Sequence, residues 1–114
     1  MVVYKILPRT VWTNAIEQGE FAGHGIDLED GFIHLSSAQQ VRETARLHFA
    51  GQTDLLLIEV DAEQLGESLT WESSRAGDLF PHVYGVIPMA AVTDTYPLAE
   101  SAEGFLFPED LPDA

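Results

Sequence analysis

Cysteine is absent from the 114-residue sequence, which removes disulfides, thiolate nucleophiles, iron–sulfur clusters and Cys-based zinc sites together. Basic residues are scarce. Five Lys/Arg stand against nineteen Asp/Glu, a formal net charge of −14, and a field of that sign repels duplex nucleic acid and anionic membrane surfaces while favouring solubility. No apolar run approaches the roughly 18–20 residues that cross a bilayer, and the first residues lack the basic start, long apolar stretch and cleavage site of a signal peptide. The expectation is a cytoplasmic protein. Also missing are a Gly-x-Gly-x-x-Gly turn, a Gly-x-x-x-x-Gly-Lys loop, a Gly-x-Ser-x-Gly elbow and a His-Glu-x-x-His helix, so Rossmann, P-loop, elbow-type hydrolase and zincin readings fall away. His24, His34, His48 and His82 match no compact metal motif, and no metal is expected.

What is present is ordinary globular material, 46% hydrophobic and 21% charged, enough for one domain of the usual size of about 100–200 residues. Residues 2–7 form a β-prone run stopped by Pro8. Thr10 can cap a short helix in which Val11, Trp12, Ala15 and Ile16 recur at helical spacing, with Gly19 just past its end. Residues 21–30 have glycines and scattered acids without a period, which suggests a mobile loop. Phe32–Leu35 reads as a buried strand carrying one polar residue. Ser37 and Gln40 resemble a capping box for the longest helix, extending to Ala50. Leu55–Val60 reads as a central strand, with a turn or single helical turn after it, and Leu69–Glu72 as another strand. Pro81 and Pro88 predict only short edge pieces across residues 79–88, and Val92–Leu98 supplies a last strand. The expected organisation is a single α+β domain over residues 1–98 with an acidic tail over 99–114, docked, if at all, through Phe105, Leu106 and Phe107.

Two polar groups interrupt this apolar pattern. In Gly31-Phe32-Ile33-His34-Leu35-Ser36, a strand places His34 and Ser36 on one face. His34 is then either a satisfied structural histidine or a ligand contact, and Ser36 binds the same ligand or caps the following helix. The second group is Trp71 and Glu72 with Arg75, followed by Phe80-Pro81-His82-Val83-Tyr84-Gly85. An aromatic surface, carboxylate, guanidinium, imidazole and phenol here suit a stacked base or nicotinamide, a phosphate on Arg75 and a ribose hydroxyl on Glu72. The competing reading is a Glu72–Arg75 loop salt bridge over a core containing Phe80 and Tyr84.

Val3-Tyr4-Lys5-Ile6-Leu7, Asp30-Gly31-Phe32-Ile33-His34-Leu35-Ser36, Trp71-Glu72 with Arg75, and Phe80–Gly85 together resemble the bacterial family known as domain of unknown function 952, over roughly residues 2–98. That resemblance implies an ADP-ribosyltransferase-like fold: a split, strongly bent antiparallel sheet around a nicotinamide-nucleotide cleft. Ile33–Ser36 is also similar to the Ile-His-Leu stretch of RNA 2′-phosphotransferases, which use this fold with NAD. The resemblance implies Lys5 at the first-strand position and His34 with Ser36 at the second, and Glu72 is taken for the acid. On this reading the ligand is NAD or another small phosphorylated, nucleotide-like molecule. His34 and Glu72 are catalytic, and Lys5, Ser36, Trp71, Arg75, His82 and Tyr84 bind the ligand. The expected activity is NAD-dependent ADP-ribosyl or related transfer. The alternative is a noncatalytic small-molecule-binding module on the same fold, since a fold does not fix a function.

Overall fold

In chain order the protein runs β1 (Val2–Pro8), α1 (Arg9–Gln18), β2 (Glu20–Phe21), α2 (Ile26–Asp30), β3 (Ile33–His34), α3 (Val41–His48), β4 (Leu55–Asp61), a 3-10 segment (Ala62–Ser68), β5 (Leu69–Ser73), β6 (Leu79–Val83), β7 (Ile87–Pro88), a 3-10 turn (Met89–Ala91), β8 (Val92–Ser101) and β9 (Gly104–Leu106). The computed structural model describes residues 1–74, 77–109 and 111. Strand side chains alternate between faces, and β1 and β4 are apolar on both. Val3 and Leu7 with Leu56, Ile58 and Val60 meet Trp12 and Ala15 of α1 in one core. Tyr4 and Ile6 with Leu55 and Leu57 meet Val41 and Ala45 of α3 in a second. β4 therefore lies inside an antiparallel sheet of order β1-β4-β8-β9.

β3, β6 and β5 form a second antiparallel sheet, and β2 pairs with β7. Among the described residues the larger sheets are joined by one backbone bridge, in which Tyr4 N donates to Ser36 O (2.7 Å) and Ser36 N donates to Tyr4 O (2.9 Å). The result is a single α+β domain with a curled antiparallel sheet. Among the described residues no helix is long and apolar enough to cross a membrane.

Four sequence expectations need correction. Residues 21–30 are not a loop throughout: they contain the end of β2 and all of α2, which closes at Gly31 with φ +83°, a conformation glycine adopts without steric cost. Residues 79–83 are no edge piece, because β6 is the middle strand of its sheet. Pro81 is tolerated there because its C=O and absent N–H face the end of the β3 ladder. Leu35 N donates to Pro81 O (3.0 Å), the return bond has no donor, and β3 ends at His34. The capping box does form, with Gln40 N donating to Ser37 Oγ (3.2 Å) and Ser37 N to Gln40 Oε1 (3.0 Å). Regular helix nevertheless covers only Val41–His48, so α1 is the longest helix. Finally, residue 98 is no domain boundary. β8 continues to Ser101 and turns into β9, Phe105 and Phe107 pack against the second core, and Leu111 is buried within it, while Leu106 is exposed.

Candidate functional site

The β3-β6-β5 sheet has two unlike faces. Ile33, Val83, Leu69 and Trp71 turn to the first core. Alternation sends His34, His82 and Glu72 to the other face, and His34 pairs directly with His82 across β3 and β6. Phe32 packs over this face, its ring 4.2 Å from that of His82, 4.6 Å from His34 and 5.2 Å from Tyr84.

On one side of Phe32 lies an ionic network centred on Asp27, which is 2% exposed. Lys5 Nζ lies 2.9 Å from Asp27 Oδ2 and also donates to His34 O at 2.9 Å. Asp27 Oδ1 accepts from His34 N (3.0 Å) and lies 2.6 Å from His34 Nδ1; Oδ2 accepts from His24 N (3.1 Å). Burial opposes the Asp27 charge, but the Lys5 ammonium and the His34 hydrogen bonds outweigh it and hold the carboxyl below its ordinary range. Burial likewise pushes Lys5 below the usual lysine value, with Asp27 offsetting part of that effect. His34 Nε2 lies 2.9 Å from Asp30 Oδ2. Each ring nitrogen of His34 therefore faces a carboxylate, an arrangement satisfied in full only when both nitrogens carry hydrogen.

On the other side, Glu72 Oε1 accepts from Tyr84 Oη (2.7 Å) and lies 2.8 Å from His82 Nδ1. The Tyr84 bond first and the His82 bond second stabilise the carboxylate, so Glu72 titrates below its usual value and Tyr84 above its own. His82 is 5% exposed, Glu72 and Tyr84 much more so.

His34, His82 and Tyr84 thus surround Phe32, with Glu72 bonded to His82 and Tyr84 and Lys5 bonded to the His34 carbonyl. Two other residues named from the sequence do not join them. Ser36 is buried with its hydroxyl 2.8 Å from Thr44 Oγ1 of α3, and Ser37 makes the capping box. Trp71 is turned to the opposite sheet face and packs against the first core, because it is adjacent to Glu72 in a strand. Arg75 lies outside the described residues. Sequence reasoning missed Asp27, Asp30 and Phe32 as participants. Asp30 and Phe32 flank Gly31 within the motif already singled out, whereas Asp27 lay in the presumed loop. Among the described residues, no group of three or more His, Asp or Glu side chains is arranged to hold a metal ion. A recess of about 500 Å³ lies elsewhere, between Arg9, Asp54, Pro97 and Ser101, and carries none of this chemistry.

A family model described as Protein of unknown function (DUF952) matches residues 6–95. The chain belongs to this family. The DUF952 match includes Asp27, Phe32, His34, Glu72, His82 and Tyr84, and Lys5 lies one residue before it. The crystal structure of protein CC0527 from Caulobacter crescentus is 48% identical, with a TM-score of 0.88 and 91% of each chain covered. Its solution NMR structure, also 48% identical, gives a TM-score of 0.81 over 91% of this chain and 90% of that one. No curated protein matches the chain.

Proposed function

We propose that this DUF952 protein binds a small nucleotide-like molecule on the face of Phe32, His34, Glu72, His82 and Tyr84, and that it carries out an NAD-dependent ADP-ribosyl or related transfer there. One observation carries the reading: a partly exposed carboxylate, Glu72, is oriented by both His82 and Tyr84 beside the Phe32 ring. In such a transfer the nicotinamide–ribose bond breaks with its electron pair passing to the ring nitrogen, and the ribose carbon bonds to a hydroxyl oxygen of the acceptor, which gives up its proton. The positive charge developing on the ribose is stabilised by a fixed neighbouring anion, the role assigned to Glu72. Phe32 and Tyr84 offer ring faces to a base or nicotinamide. The proposed ADP-ribosyltransferase-like kinship is supported by the curled antiparallel sheet, whose two sections meet at one bridge.

The described residues suit the ribose and nicotinamide end of NAD better than its pyrophosphate, because Lys5 is engaged by Asp27 and by His34 O. That engagement favours the second reading, a noncatalytic module for a small, weakly charged ligand. Titration with NAD, ADP-ribose, nicotinamide and a short RNA, followed through the His34 and His82 ring signals, tests both. Transfer requires that NAD perturb these signals and that nicotinamide be released, with release abolished in Glu72→Gln. Saturable binding without release establishes the module. If no nucleotide moves either ring at about millimolar concentration, the nucleotide reading fails.

A further inference from the structure

We propose that His82 is the proton acceptor of this face, held by Glu72 in the tautomer that leaves Nε2 bare, and that it removes the proton from a hydroxyl of the bound molecule. The substrate class rests on the reading above; the base itself rests on geometry. A carboxylate only accepts hydrogen bonds, so the 2.8 Å contact with Glu72 Oε1 places the hydrogen on Nδ1. In the neutral ring the lone pair then sits on Nε2. Nε2 has no hydrogen-bond partner among the described residues, yet no buried side-chain nitrogen or oxygen among them lacks one. Nε2 is therefore not wholly enclosed by the described residues, although the residue as a whole is 5% exposed. The ring cannot swing away easily: Glu72 holds one edge, and Phe32 stacks on it at 4.2 Å with 27° between planes.

His34, its cross-strand neighbour with ring centroids 5.4 Å apart, is unsuited to this task. Both its nitrogens face carboxylates, Asp27 and Asp30. In the proposed step the hydroxyl O–H bond breaks, an Nε2–H bond forms, and the electron pair remains on oxygen. The imidazolium so formed lies against the Glu72 carboxylate, which Tyr84 also steadies. His82 is thus the group that takes the proton, and Glu72, besides facing the ribose, holds it in the tautomer that can do so. The substrate is a small molecule with an aliphatic hydroxyl beside a planar group that can lie along Phe32 or Tyr84, the pattern of a nucleoside.

The test is nitrogen-resolved NMR of the histidine rings in the full chain, with diethyl pyrocarbonate acylation mapped by mass spectrometry. His82 should show a protonated Nδ1 and a bare Nε2, and should be acylated several-fold faster than His34, with exposed His24 and His48 as references. Glu72→Ala should release the tautomer preference and slow acylation of His82. Glu72→Gln, whose amide oxygen still accepts from Nδ1, should restore the tautomer. The altered group is partly exposed, and Tyr84→Phe provides a second variant that removes one bond to Glu72 without touching the imidazole and should leave the tautomer in place. An Nε2–H tautomer in the unaltered protein, or equal acylation of His34 and His82, overturns the assignment of the base. A bare Nε2 with no response to nucleosides or nucleotides leaves that base standing and overturns only the nucleotide reading.

Discussion

Asp27 binds three parts of the chain at once through its two carboxylate oxygens: the Lys5 ammonium, the His34 backbone and ring, and the His24 backbone. Removing one charge of a buried pair strands the other. Asp27→Asn is therefore expected to cost about 3 kcal/mol in urea unfolding, and to broaden the His34 signals as their anchor loosens. The pH dependence follows from the depressed carboxyl. In the window between its native value and the unfolded value of about 3.9, the unfolded chain binds more protons, so stability rises with pH there and is complete above it. Unfolding midpoints should fall steeply as pH drops below about 4, and Asp27→Asn should flatten that fall; an unchanged slope would remove Asp27 from the account. Asp27 could not be picked out from the sequence, because one acid among nineteen in a stretch without period carries no signal. What distinguishes it is Lys5, 22 positions earlier, which only the fold brings near. His34 and His82 were legible for the opposite reason, as polar interruptions of apolar strands.

The turn before α2 shows how little room this network has. Gly23 has φ +115°, and a Cβ there would sit 3.2 Å from both Asp27 Cβ and Leu28 Cδ2. Gly23→Ala combines an unfavourable backbone with a push on the central carboxylate. It should cost about 1–3 kcal/mol and speed hydrogen exchange at the His24 amide, whereas Gly25→Ala, with φ +60° and no heavy atom within 4 Å of the added Cβ, meets the backbone cost alone. Periodicity identified β1, β4, the β5 run and both larger helices, where several apolar residues repeat. It failed for β2 and α2, which are too short to show a period. It also failed for β6, where Pro81 reads as a breaker although its missing donor falls opposite the end of a two-residue strand.

At the scale of the whole molecule, residues 99–109 and Leu111 of the acidic segment are part of the fold. Arg42 Nη2 donates to Leu111 O (3.1 Å), and its guanidinium lies 5.4 Å from the Phe107 ring centre. Truncation after Leu98 strips β9 from β8, and the loss of Leu111 burial alone is worth about 1.5–3 kcal/mol. The truncated chain should melt at a markedly lower temperature and self-associate through the uncovered strand edge; an unchanged melting curve would return the segment to the status of a tail. Its composition concealed this, since five acids and two prolines outweigh three aromatic or apolar anchors in any windowed reading. The strand order β1-β4-β8-β9 has a further bearing on how the protein is made. β4 has as neighbours one strand far before it in the sequence and one far after it, so its two ladders reach from residue 2 to residue 98. A nascent chain released at residue 61 has a β1–β4 hairpin open on one side, and the second ladder needs about forty residues more. The sheet therefore closes only once β8 has emerged, and the interval before that is when the apolar β4 edge is available to strands of other chains.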